Sequence, residues 1–208
     1  MLRRILVLIL SLGSFCSVYS QVKFGVQAGV GLSDVVAVNP SQTASIVYTD
    51  DFYDLKPSIT FGFSALFPFN ERFALMPLLQ YTNKGMRVRD NNSSDEFVDL
   101  SYVGLSPLVR YNLNSRFFFE LGPEVAYLTQ ASVRRITNND VIFYQRFDLG
   151  VNTGVGFDLT EKIDMGVRYY MGFIDIYDEA NIPNSPPNSS GSGYYNRYAQ
   201  LYGSFSFN

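Results

Sequence analysis

Glu120 and Glu124 lie four residues apart, and in a β-strand that spacing turns both carboxylates to the same face. Two facing carboxylates can share acid–base work, one protonated and the other ionised. The same pair can instead act as counter-ions to Arg110, Arg168 and Lys23, a network that keeps buried charges matched. The network is the preferred reading, because the chain contains no histidine. Without histidine the usual general base and the usual metal ligand are missing. Neither a Ser–His–Asp nor a Cys–His nucleophile can be assembled, and Cys16 is the single cysteine. No catalytic, cofactor-binding or metal residue is therefore assigned, and the chain is read as a non-enzyme.

Three acidic clusters deserve the same test. Asp90, Asn92 and Ser94, followed by Asp95 and Glu96, have calcium-loop spacing, but an EF-hand would need glycine in place of Asp95 and glutamate in place of Ser101. Asp50, Asp51 and Asp54, and Asp175, Asp178 and Glu179, are similar groups. All three are read as solvated charges on outer loops, with divalent-ion binding the alternative. Gly25, Gly29 and Gly31, like Gly150, Gly154 and Gly156, lie at every second residue with no helix to follow, so they cannot form a dinucleotide loop. They read as positions where a missing side chain makes room for a neighbour.

The elements that would carry these residues are strands. Residues 22–32 place Val22, Phe24, Val26, Ala28, Val30 and Leu32 on one face and Lys23, Gly25, Gln27, Gly29 and Gly31 on the other. Residues 147–159 and 163–173 alternate as strictly, and no helical period fits them. Residues 58–67, 73–82, 102–111, 116–128 and 197–207 follow the rule more loosely; 73–82 is the weakest, because Ala74, Met76 and Leu78 blur its polar face. Eight strands of about ten residues result, the length a tilted strand needs to cross a bilayer. Short turns at 69–72, 112–115 and 160–162 alternate with long hydrophilic connections at 33–57, 84–101, 129–146 and 175–196.

The chain begins with Arg3 and Arg4, then an apolar run from Ile5 to Leu12, then Val18 and Ser20 at the −3 and −1 positions of a cleavage site. Residues 1–20 are read as a cleaved signal peptide and 21–208 as a single domain of about 188 residues. Phe15 before Cys16 disfavours a lipoprotein signal. Loss of Arg3 and Arg4 leaves 14 basic against 19 acidic residues, a net charge of −5, which argues against nucleic acid.

A soluble, lipocalin-like ligand-binding barrel would also alternate. Volume decides between the two. The lumen of an eight-stranded barrel only just holds side chains, whereas the apolar face here is bulky and the opposite face is Gly, Ser, Asn, Asp and Arg. Bulk therefore belongs outside, against lipid. Aromatics sort accordingly: Phe24, Phe67, Phe73, Tyr111, Phe117, Phe157 and Phe207 near the short turns, and Tyr81, Tyr127, Phe147 and Phe173 near the other ends. The fold expected is all-β, an eight-stranded antiparallel up-and-down transmembrane β-barrel.

The stretches FGVQAGVGLS, LSPLVRYNLNSRFFFELGPEVAYL and LYGSFSFN resemble the PorT-like small outer-membrane β-barrel family, related in architecture to OmpX. The resemblance spans nearly the whole mature chain, departing at its end, where Asn208 follows Phe207. It implies a bacterial outer-membrane location with periplasmic termini and extracellular long loops. It also implies a structural or interaction role, extending to an accessory part in secretion or envelope integrity. The expected partners are membrane lipid and an envelope or surface protein, with the barrel itself monomeric. A narrow small-solute pore is the alternative function.

Overall fold

The computed structural model describes residues 22–38, 53–88, 96–133, 144–177 and 193–207. Eight long strands form one closed antiparallel wall: β1 (Lys23–Val38), β3 (Lys56–Pro68), β4 (Phe73–Val88), β5 (Glu96–Asn112), β6 (Phe117–Val133), β7 (Phe147–Asp158), β8 (Ile163–Asp175) and β9 (Gly193–Ser206). Each pairs with its neighbour in sequence, and β1 pairs with β9 to close the ring. A two-residue strand, β2 (Tyr53–Asp54), adds to β4 opposite Arg87 and Val88.

The three described turns share one chemistry. In each, an apolar residue is followed by Asn or Thr, whose side-chain oxygen accepts from the two backbone N–H groups that lead into the next strand. Asn70 Oδ1 takes Arg72 N and Phe73 N at 2.8 and 2.9 Å. Asn114 Oδ1 takes Arg116 N and Phe117 N, both at 2.9 Å. Thr160 Oγ1 takes Lys162 N and Ile163 N at 3.2 and 3.0 Å. Such side chains close turns by standing in for a backbone acceptor, and each turn here presents a cation (Arg72, Arg116 or Lys162) just before the strand.

The strands run further than alternation alone indicated. β4 continues to Val88 and β5 starts at Glu96, so residues 84–88 and 96–101, expected in a connection, belong to the wall. β1, β6 and β9 are longer at the same end. The polar run Thr82-Asn83-Lys84-Gly85 resembles a turn, but Gly85 absorbs the irregularity at φ 127° while pairing with Asp99. At about 3.3 Å per residue a 17-residue strand is roughly 56 Å long, well beyond an apolar belt about 25 Å tall even when tilted. The surplus lies on the long-connection side. There the outer face turns polar: Arg197 grips Asp34 through Nη2–Oδ2 at 2.5 Å and Nε–Oδ1 at 3.1 Å.

Between that ion pair and the short turns, the outward residues are apolar and exposed: Val30 and Phe63 are 62% and 66% accessible, and Leu121, Val155, Val167 and Leu201 are similarly open. Their sequence neighbours Gly29, Gly62, Gly122, Gly154, Gly166 and Tyr202 face inward. Exposed bulk of this extent is stable only against hydrocarbon. The expected aromatic bands are present, with Phe73–Tyr111 centroids 5.0 Å apart near the short turns and Tyr127–Phe147 5.3 Å apart at the other edge.

Candidate functional site in the barrel lumen

Inward residues fill the barrel in layers. Nearest the short turns, Arg110 of β5 meets Asp158 Oδ1 at 2.5 Å and Asp164 Oδ2 at 3.6 Å, with its guanidinium carbon 3.4 Å from the centroid of Phe118. Met76, Leu78 and Leu108 make an apolar layer beside it, with Leu66 packed against them. Met76 and Leu78, with the equally buried Ala74, are the residues that blurred the polar face of the 73–82 segment. All three face the lumen.

At the next level Arg168 of β8 reaches across to Glu120 of β6. Its Nη2 and Nε donate to Glu120 Oε2 at 2.6 and 3.2 Å, and its Nη1 donates to Gln27 Oε1 at 2.8 Å. Tyr202 donates its hydroxyl to the same Glu120 oxygen at 3.0 Å, while its ring lies 4.3 Å from the guanidinium carbon. Four strands are thereby tied through one buried charge pair.

One turn of the ladder further on, Glu124 accepts from Asn152 Nδ2, Gln80 Nε2 and Ser106 Oγ at 2.8, 3.0 and 3.1 Å. Its other oxygen takes Lys84 Nζ at 2.9 Å. Lys84 also contacts Asp148 Oδ2 at 3.2 Å and sits 3.4 Å from the Tyr170 ring centroid. Asn196 Nδ2 donates to Asp148 Oδ2 at 3.0 Å. Above this layer Val35, Met86, Val98, Leu100, Leu128 and Ile176 pack into an apolar plug. Beside it, Tyr144 stacks on Tyr177 at 5.5 Å between centroids.

The expected network therefore exists, with corrected membership. Glu120 and Glu124 face the lumen as expected, but each holds its own cation, so they do not work as a carboxylate pair. Arg110 lies opposite Glu120 in the β5–β6 register, yet Glu120 is taken by Arg168 and Tyr202, and Arg110 turns to Asp158 and Asp164. Lys23 does not join: it stands at the strand end, where its Nζ donates to Glu161 O at 3.4 Å. Lys84, a residue the sequence reading assigned to a connection, takes its place in the network, and a further buried cation, Lys56, pairs with Asp99 at 2.8 Å. Counting parity from Gln80 through Thr82 would have placed Lys84 inside. Of the acidic clusters, Asp54 and Asp175 are described, and Asp175 accepts from Tyr177 N and Tyr194 N at 2.9 and 3.2 Å. Asp50, Asp51, Asp90, Asn92, Ser94, Asp95, Asp178 and Glu179 lie outside the described residues, as does the side chain of Glu96. Among the described residues no group of three metal-ligating side chains occurs.

Comparison with known proteins agrees with the geometry. Residues 14–178 match the family model described as outer membrane protein beta-barrel domain. No curated protein sequence matches the chain. Among solved structures, Neisserial surface protein A superposes with a TM-score of 0.55 at 18% identity, covering 90% of this chain and all of that one. The attachment invasion locus protein Ail of Yersinia pestis gives 0.48 at 13% identity, over 90% of this chain and 100% of that one. OprG of Pseudomonas aeruginosa gives 0.46 at 10%, over 89% and 96%. The likeness to the Neisserial protein concerns the fold alone. With the closed eight-stranded wall, the apolar belt and a family match over most of its length, the chain belongs to the outer membrane protein β-barrel domain family.

Proposed function

We propose that this protein is a closed, non-conducting barrel that anchors long loops in the outer membrane and offers them to an envelope or surface protein. The single observation that carries this reading is the stacking of sealed layers through the lumen. Arg110, Arg168 and Lys84, each bound to carboxylates, are followed by an apolar plug around Leu100 and Leu128, both of which are wholly buried. A solute would have to separate buried ion pairs and then cross an apolar plug. The same commitments speak against an enzyme, since Glu120 and Glu124 are held by several donors each and the chain has no histidine.

In this reading residues 1–20 are removed, residues 21–208 form the mature barrel, and it works as a monomer. The termini and the Asn/Thr turns face the periplasm, and the opposite strand ends, at Val38, Val88, Val133 and Asp175, face outward with the long connections they carry. An accessory role in secretion or envelope integrity would then be exercised through those loops. Purified protein in a planar bilayer should raise no stepwise current, and stable single-channel steps would replace the anchor with the pore. Orientation is tested separately in intact cells. Single cysteines at Asn92, Asn139 and Asn188 should react with an impermeant reagent, and those at Asn70, Asn114 and Glu161 should not. Equal labelling of both sets would reverse or abolish the assignment.

A further inference from the structure

Three prolines stand in one row across the wall. Pro77 of β4 pairs with Pro107 of β5, and extending the β5–β6 register places Pro107 opposite Pro123 of β6, which pairs with Val151 of β7. The β5–β6 ladder runs to Leu105↔Val125 and resumes at Val109↔Leu121 in the same register, with no pairs between. The cause is chemical. Proline has no N–H to donate, and here two prolines face each other, so neither carbonyl receives the bond its partner would normally give. In a soluble sheet water would compensate; within hydrocarbon it cannot, so both carbonyls are left without that donor. The β3–β4 ladder is interrupted in the same way, between Ser64↔Leu78 and Phe67↔Leu75, a stretch that includes Pro77.

Directly over the β5–β6 break, the lipid-facing surface is hollow. A cavity of about 800 Å³ opens outward there, lined by Pro107, Val109, Leu121, Pro123, Leu149 and Val151, with Tyr111 and Phe119 at the short-turn end and Phe173 at the other. This size is typical of pockets that take a small organic ligand. The turn below it, between β5 and β6, carries the exposed Arg116. The groove therefore has an apolar floor inside the belt and a cation at the membrane edge.

We propose that this groove binds one glycerophospholipid of the leaflet that meets the short turns, with an acyl chain lying over the Pro107–Pro123 break and the phosphate at Arg116. The charge arrangement selects the occupant. A second barrel would leave the concavity unfilled, whereas a flexible chain fills it and a phosphate matches a guanidinium at the headgroup level. The acyl chain also shields the interrupted stretch of wall from less ordered contacts.

Photolabelling of wild-type protein tests this. It would be reconstituted in phosphatidylethanolamine vesicles containing a trace of phosphatidylglycerol with a mid-chain diazirine. Adducts should concentrate several-fold at Val109 and Leu121 over Val30 and Leu201, which are similarly open to lipid on the β1–β9 face. Arg116→Gln should lower the groove adducts and leave those at Val30 unchanged, and Val109→Trp should abolish the enrichment by filling the floor. The proposal is overturned by adducts spread evenly around the belt. It is also overturned by chain-to-chain crosslinks in place of lipid adducts, by no effect of Arg116→Gln, or by enrichment with a diazirine fatty acid but not with the phospholipid.

Discussion

Two seams of the same wall are built differently. Where β1 meets β9, fourteen residues pair without interruption, from Gly25↔Ser206 to Val38↔Gly193. Where β5 meets β6 the strands are longer, yet their register slips beside Ser101 and Tyr102, and pairing stops at Pro107 and Pro123. The difference follows from connectivity. β5 and β6 are joined by the turn around Asn114, so their encounter costs little chain entropy and survives missing bonds. β1 and β9 come from opposite ends of the chain, and only their ladder and the side chains around it hold them together. A second compensation lies inside: β6 carries both Glu120 and Glu124, so a strand whose ladder to β5 is interrupted is also tied to β8 and β4 through buried ion pairs.

The largest effect should come from cutting those inner ties. Arg168→Met leaves Glu120 as a buried, uncompensated charge and should cost about 3–5 kcal/mol. Urea unfolding followed by the heat-modifiable mobility of the folded barrel would measure it. A cost under 1 kcal/mol would mean that β6 is held by its ladder after all.

The closing seam should respond next. A Cβ at Gly29 would stand 2.8 Å from Leu201 O and 2.9 Å from Thr60 Cγ2, both across strand boundaries. Gly29→Val should therefore cost about 1–3 kcal/mol through overpacking, with faster unfolding and weakened amide protection along β1 and β9. Protection lost first along β5 would contradict the comparison.

The smallest change should be a gain. Replacing Pro107 and Pro123 together by Val restores two donors to the interrupted pair and should add about 0.5–1.5 kcal/mol per hydrogen bond. Hydrogen exchange at residues 105–109 should slow. If the double variant is less stable and those amides stay fast, the break is set by strand geometry and not by the missing N–H groups.

Much of this was legible in the residues. Period two fixes which face of Phe147–Asp158 meets lipid, because Gly150, Asn152 and Gly154 cannot cover an apolar surface and Leu149, Val155 and Phe157 can. The turns were legible as well, since Asn70, Asn114 and Thr160 have the side chains that close them. Ion partners were not. Which cation meets Glu120 depends on the register of three strands: Glu120, Gly154 and Arg168 share one row, so Arg168 reaches over the missing side chain of Gly154 while Arg110, the ladder neighbour, leans away. Lys84 was lost for a local reason: Asn83 and Gly85 flank it as they would in a turn, and the strand continues because Gly85 tolerates a positive φ. The three prolines were visible singly, but their alignment in one row needed the register of β4, β5, β6 and β7.

The sealed lumen is the claim on which the rest depends, and Ser106 reports on it most directly. Its side chain is wholly buried at the Glu124 layer, and cysteine has nearly its shape. In a barrel that starts at Gln21 and so holds no other cysteine, Ser106→Cys in folded, reconstituted protein should stay unmodified by a small water-soluble thiol reagent applied from both sides, and should react fully once the protein is unfolded in urea. Rapid modification of Cys at this position in the folded barrel would show a water-continuous lumen and contradict the closed-anchor account.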